Sequence, residues 1–311
     1  MKKVGIVAAG SYVPARILTN ADLEKMVDTT DEWITSRTGV KERHITSEDE
    51  HASDLAVQAA RDCLAQTSYR PNLLIASSST AEKSCPYQAS IVAHRLNLTN
   101  LAAFDLNAAC SGLVYSLAVG WSLMQTQGYD DVLITAGEKL SRYVDYTDRA
   151  SCILFGDAGA ALFLSTRQPE HEILTVELGA DPAGSNLVIM GGQDEEFYFR
   201  QDGRNVFKFA VEKMGELIDL LKLRTGITDQ DRYFIIPHQA NRRIFEAVAK
   251  NKGIPLECFI SNIANYGNTS SASIGLALKE AWHQGRFTKG DILMLIGFGG
   301  GLSWAAAAIR W

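Results

Sequence analysis

Residues 107–124, NAACSGLVYSLAVGWSLM, and residues 267–282, GNTSSASIGLALKEAW, decide the fold. Each opens on small residues and then runs apolar on nearly every side. Only Ser116 and Ser122 interrupt Leu113 to Met124, and only Lys279 and Glu280 interrupt Ile274 to Trp282. A helix without a polar face has to be buried all round. The two stretches begin 160 positions apart (107 against 267), and strand-like runs on either side keep nearly the same interval. LLIA at 73–76 is answered by FIIP at 234–237, and DVLIT from Asp131 by DILML from Asp291. Self-similarity at a fixed interval marks a duplicated chain, so two halves should stack back to back around a pair of inner helices.

Working outward, short β-branched runs alternate with helical patterns along the chain, which predicts an α/β layered fold whose continuous apolar strands are covered on both faces. The stripe Phe207, Val211, Met214, Ile218 and Leu221, with Lys208, Lys213 and Glu216 outside it, predicts a surface helix over 206–224. The polar stretch TRQPEHE (166–172) divides the halves, giving an N-terminal half 1–165 and a C-terminal half 166–311. Residues 181–204, DPAGSNLVIMGGQDEEFYFRQDGR, are rich in Gly and acidic residues and have no period, which reads as an exposed excursion.

The chain has 311 residues, of which 46% are hydrophobic and 21% charged, the balance of a globular protein rather than a disordered, fibrous or coiled-coil one. Its net charge of −6 repels nucleic acid and anionic membranes, so a polyanionic partner needs a local basic patch. Five scattered cysteines without C-x-x-C suit reduced thiols in a cytoplasmic protein better than a disulfide framework or zinc ribbon. No two histidines have metal-ligand spacing, so no metal is expected. The run VGIVAAG breaks at Gly10-Ser11 and reads as a first buried strand rather than a signal peptide. No segment approaches the roughly 18 apolar residues of a membrane span.

Chemistry could sit at three places. Cys110 follows an extended segment and stands at the first turn of the first inner helix, where the helix dipole would lower its pKa and its own N–H could serve an oxyanion. A buried small hydrophobe is the alternative there. His238 ends the strand YFIIPHQ, where α/β proteins place active sites, although most histidines are packing or surface residues. Asn268 matches the Cys110 neighbourhood through the duplication, and an N-cap would explain it as well. The run Gly297-Phe298-Gly299-Gly300-Gly301 leads into a strand, which weakens a dinucleotide reading and leaves a tight turn that could offer an N–H to an oxyanion.

Eight blocks then carry a resemblance: DTTDEWITSRTGVKERH (28–44), NAACSGLVYSL (107–117), GEKLS (137–141), DRASCILFGDAGAA (148–161), VFKFAV (206–211), PHQANRRI (237–244), NYGNTSSASI (265–274) and GFGGGLSW (297–304). Together they resemble the β-ketoacyl-acyl carrier protein synthase III family, thiolase-fold condensing enzymes that start fatty acid synthesis. The resemblance runs over the whole chain, and eight blocks in order are far more specific than any one motif. It implies a thiolase-like fold of two duplicated βαβαββ halves in a five-layered αβαβα sandwich. It further implies that Cys110 is the nucleophile, that His238 and Asn268 are the decarboxylation residues, and that Cys110 and Gly300 supply the oxyanion hole. Trp33, Arg37, Arg149 and Asn241 match coenzyme A contacts. Arg243 matches a carrier-protein and coenzyme A contact, with Arg242, Lys208 and Lys213 forming a basic patch for an acidic carrier protein. The implied chemistry is ping-pong, from acyl-CoA to a Cys110 thioester and on to malonyl-acyl carrier protein, with coenzyme A thioesters as substrates, no resident cofactor and a homodimer.

The departures bear on the primer. Cys85 in SCPYQAS (84–90) replaces the family's usual Phe, which shapes the primer pocket across the dimer interface; TSYRPNLLIASSST is shortened, and Arg242 adds a charge. These allow a second expectation, a specialised synthase III-like acyltransferase of a secondary-metabolite pathway with a non-acetyl primer. An acyltransferase to an alcohol or amine without decarboxylation, a silent partner subunit and an unrelated Cys-His hydrolase are the further alternatives.

Overall fold

The computed structural model describes residues 2–192, 197–228 and 230–311. Its strands are β1 (Gly5–Tyr12), β2 (Arg16–Thr19), β3 (Glu42–Ile45), β4 (Leu73–Ser77), β5 (Ala102–Leu106), β6 (Asp131–Glu138), β7 (Ala158–Ser165), β8 (Glu172–Ala180), β9 (Val188–Ile189), β10 (Arg200–Gln201), β11 (Tyr233–Pro237), β12 (Ile292–Gly299) and β13 (Ser303–Arg310). Its helices are α1 (Asn20–Leu23), α2 (Asp31–Thr38), α3 (Ala52–Leu64), α4 (Gln88–Arg95), α5 (Gly112–Thr126), α6 (Arg149–Cys152), α7 (Gly203–Thr225), α8 (Arg242–Lys252), α9 (Ile263–Tyr266) and α10 (Ser273–His283). None of them is long and apolar enough to cross a membrane among the described residues.

Nine strands pair in the order β11-β12-β13-β8-β1-β7-β6-β4-β5. The order repeats itself outward from the centre. From β1 the chain positions run β1, β7, β6, β4, and from β8 they run β8, β13, β12, β11, each set with two antiparallel pairs inside and one parallel pair outside. The two sets meet through a single pair, Gly5 opposite Glu172. Even the outermost strand has a remnant, since Phe259 bridges Ile235 in parallel as β5 pairs β4.

Strand periodicity places the layers. On β6, Val132, Ile134 and Ala136 pack with α5 and α10, while Leu133 on the opposite face packs with α3 and α4. On β12, Leu293 and Leu295 face the same inner helices, while Ile292, Met294 and Ile296 pack with α7 and α8. The sequence α3/α4, strands, α5/α10, strands, α7/α8 is thus the expected duplicated α/β sandwich. α7 buries Ala210, Met214, Leu217, Ile218 and Leu221 and lies outermost, as its stripe requires.

One local expectation fails and another holds in part. The inner helices begin at Gly112 and Ser273, each preceded by a three-residue 3-10 turn, so Cys110 stands on a turn before the helix and not in its first turn. Ala109 and Ser270 are the cause, with φ of 47° and 49°, a left-handed conformation that no helix continues. The stretch 181–204 is largely exposed among its described residues, as expected, but it is not irregular throughout. β9 and β10 pair as a hairpin whose Phe199 N–H donates to Tyr143 O at 2.8 Å and whose Phe199 ring packs edge-on against Phe155 at 4.5 Å. Aromatic residues in FYF carry that docking, and composition alone hides it. Residues 193–196 of this stretch lie outside the described residues.

Candidate active site

The duplication builds the site from two copies of one turn. Asn107 Oδ1 accepts the Ala109 N–H at 3.1 Å, and Asn268 Oδ1 accepts the Ser270 N–H at 2.9 Å. In each copy an asparagine folds back on the left-handed residue two positions on, a local bond that offsets its backbone strain. The first turn presents Cys110 and the second presents Asn268. Ser111 Oγ lies 2.8 Å from Ser303 Oγ, which ties the nucleophile turn to β13. Gly299, at the end of β12, approaches so closely that a Cβ there would lie 2.7 Å from Cys110 N. Only glycine fits at that crossing.

Cys110, His238, Asn268 and Gly300 line one cavity of about 60 Å³, together with Phe155, Phe298 and the hairpin residues Val188, Phe199 and Gln201. Sequence reasoning missed the hairpin and aromatic walls, because their contacts are all long-range. Gly300 faces Val188, whose Cβ would be 3.4 Å from a Cβ at that position. Because Asn268 Oδ1 is engaged by Ser270, the amide group left for the cavity is the donor Nδ2. Asn268 is therefore more than a cap.

His238 is held by its own N–H, which donates to Ile296 O at 2.8 Å, and by Nδ1, 2.8 Å from Ser273 Oγ; its ring lies edge-on to Phe298. Burial pushes its pKa down to about 3, against which a hydrogen bond to the Ser270 backbone acts. The imidazole is neutral at any working pH and serves as a donor rather than a cation.

The sequence-based expectation of a lowered Cys110 pKa is overturned. Burial pushes the thiol up to about 12, opposed by the Ser270 hydroxyl and reinforced by the charge of Glu138. Desolvation of an anion outweighs the first-turn dipole, and Cys110 precedes the helix in any case. Alkylation of Cys110 by iodoacetamide should accordingly keep accelerating from pH 6 to pH 9, about tenfold per pH unit, since the thiolate fraction stays far below saturation. A plateau near neutrality would contradict this.

The resemblance-derived nucleotide residues cluster on one rim. The Arg149 guanidinium lies 4.8 Å and that of Arg37 6.0 Å from the centre of the Trp33 ring. Asn241 caps α8 through Oδ1 and donates Nδ2 to Arg37 O at 3.1 Å, joining α8 to α2. An indole flanked by two guanidiniums offers stacking and bidentate anion binding together.

The basic patch is uneven. Lys208 is exposed and reaches Glu212 only at 4.0 Å, Arg242 pairs with Glu246 at 2.9 Å, and Arg243 lies over Phe207. Lys213 does not belong with them. Its ammonium sits 4.3 Å from the centre of the Trp304 ring and pairs with Glu216, so its stem is packed down and it is no free docking cation. Cys85 is exposed in the segment before α4 and does not line the Cys110 cavity of its own chain.

Two family models match, described as 3-oxoacyl-[acyl-carrier-protein] synthase III over residues 104–182 and as its C-terminal part over residues 223–311. The chain is 40% identical over 310 residues to a β-ketoacyl-[acyl-carrier-protein] synthase III of Listeria welshimeri, covering 99% of this chain and 98% of that one. Among solved structures, the 3-oxoacyl-(acyl carrier protein) synthase III of Pseudomonas aeruginosa superposes with a TM-score of 0.95 at 39% identity, covering 100% of this chain and 98% of the other. The priming β-ketosynthase of the R1128 polyketide pathway superposes at 0.93 with 31% identity, covering 99% and 96%.

Proposed function

The chain belongs to the β-ketoacyl-[acyl-carrier-protein] synthase III family of condensing acyltransferases in fatty acid synthesis, and from that premise we propose how its residues divide the work. The observation that carries the reading is the convergence of one thiol and two neutral donors on a single small apolar cavity. Acyl-CoA seats its nucleotide between Trp33 and Arg149, with Arg37 on its phosphates and Asn241 at the neck. Cys110 attacks the thioester carbonyl, the oxyanion of the tetrahedral intermediate is held by the N–H groups of Cys110 and Gly300, and coenzyme A leaves as its thiol with the Cys110 proton, so that the acyl group remains as a Cys110 thioester.

Malonyl-acyl carrier protein then docks on Lys208, Arg242 and Arg243. His238 and the Asn268 amide donate to the malonyl thioester carbonyl while carbon dioxide leaves. Neutral donors suit this step: they stabilise the developing enolate without a proton being drawn from carbon. The enolate carbon attacks the Cys110 thioester, releasing β-ketoacyl-acyl carrier protein and a Cys110 thiolate that takes up one proton. On this reading residues 1–165 carry the nucleophile and residues 166–311 the decarboxylation pair. No resident cofactor takes part.

We read the assembly as a cytoplasmic homodimer. β5 lies at the edge of the nine-stranded sheet with β4 as its one neighbour, and Tyr87 is 44% exposed close by in sequence. A second copy against that edge would cover both, and would bring Cys85 toward the other protomer's acyl pocket. Cys85, smaller than an aromatic ring, favours a second reading in which the primer is larger than acetyl. The test is release of carbon dioxide from malonyl-acyl carrier protein by acyl-charged enzyme. One carbon dioxide per β-ketoacyl product supports the proposal, and acyl transfer without it refutes the condensation.

A further inference from the structure

Glu138, the last residue of β6, is fully buried, and none of the ion pairs formed among the described residues includes it. Its carboxyl lies instead in a cage of hydroxyl and N–H groups. Oε2 accepts from Thr80 Oγ1 at 2.8 Å and Ser79 Oγ at 3.1 Å, and Oε1 from Ser271 Oγ at 2.5 Å and Ser270 Oγ at 3.2 Å, with the Ser79 N–H at 3.2 to 3.3 Å from both. The Ser79 N–H is a donor by necessity, and Thr80 Oγ1, which accepts the Lys139 N–H at 2.8 Å, has its own proton to direct at Glu138. Burial pushes the Glu138 carboxyl pKa up, and the hydroxyl and N–H groups of the cage, Ser271 and Thr80 foremost, pull against that rise in place of a counter-ion.

Ser270 is where this cage meets the reaction. Its N–H orients the Asn268 amide, and its hydroxyl, held by Glu138, acts on the Cys110 thiol. Two reacting side chains depend on one left-handed residue. We propose that Glu138 is a positioning residue for the condensation: through Ser270 and Ser271 it fixes the turn that aims the Asn268 amide, and in its ionised form its charge acts on the Cys110 thiol. The proposal rests on the roles of Cys110, His238 and Asn268 given above.

Cys110 is the titratable group that Glu138 faces across the first turn. The end of β4 and the turn 270–272 contribute hydroxyl and N–H groups, and the Lys139 ammonium is turned away onto the carbonyls of Ser47, Glu48 and Glu50. Removing the charge should ease thiolate formation while loosening the aim of the Asn268 amide. A merely structural glutamate would do the second without the first.

The experiment compares Glu138→Gln, of nearly equal size, with Glu138→Asp, which keeps the charge but withdraws it by one methylene. In the Gln variant, iodoacetamide should alkylate Cys110 several-fold faster at pH 8, since each unit off a thiol pKa is about tenfold in thiolate. Its kcat for condensation should fall at least about tenfold with KM for acyl-CoA nearly unchanged, the pattern of lost transition-state interactions. The Asp variant should lose kcat while alkylating more slowly than the Gln variant. Unchanged alkylation in the Gln variant, alkylation in the Asp variant as fast as in the Gln variant, or a wild-type kcat in either would overturn the proposal. Alkylation needs no thioester substrate, so this arm stands or falls separately from the condensation itself.

Discussion

Cys110→Ala is expected to abolish labelling by acyl-CoA and to lower condensation by on the order of 10⁶-fold, as removal of a covalent nucleophile does. The effect is large because no other thiol can substitute. Cys63 and Cys152 are buried in helical cores, and neither they nor Cys85 and Cys258 line the cavity. Removing one sulfur at a half-buried turn leaves the cage around Ser270 and the cavity walls in place, so the variant should still bind acyl-CoA. Intact-protein mass after incubation with acyl-CoA measures the first effect, and product formation from malonyl-acyl carrier protein the second. An acyl adduct that survives in the variant would move the nucleophile elsewhere.

Asn268→Ala should separate the two half-reactions. Acylation uses Cys110 and the oxyanion donors and ought to proceed within a few-fold of normal. Decarboxylation loses one of its two donors, a change of about 10²- to 10³-fold for an oxyanion-type contact. The substitution also frees the Ser270 N–H at a buried site, costing about 1–3 kcal/mol of stability, and retained acylation is the control that the turn still forms. Stopped-assay acylation beside carbon dioxide release makes the comparison. Normal condensation by this variant would remove Asn268 from the mechanism.

Much of this was legible before any coordinates. The interval of about 160 residues located both inner helices and the strands flanking them, and it set Asn268 against the Cys110 turn, because a duplicated chain carries its geometry in its spacing. What the sequence hid depends on long-range contact. The hairpin of β9 and β10 has no period, and only its docking on Tyr143 and Phe155 makes it a wall of the site. Placing Cys110 at the first turn of a helix suggested a lowered pKa, but burial is a property of the assembled site and acts the other way. Lys213 lay outside the apolar stripe of α7 by sequence, yet Trp304, from β13 on the neighbouring strand layer, holds its ammonium. Glu138 sat unremarked in GEKLS, since the hydroxyls that cage it come from residues 79–80 and 270–271.

The most direct measurement of the central claim is the intact mass of the wild-type chain across one turnover. With a panel of acyl-CoAs, the chain should gain the mass of one acyl group, placed on Cys110 by peptide mapping. Addition of malonyl-acyl carrier protein should return the chain to its starting mass as carbon dioxide and β-ketoacyl carrier protein appear together. An acyl adduct on another residue, or discharge of Cys110 without carbon dioxide, would contradict the account.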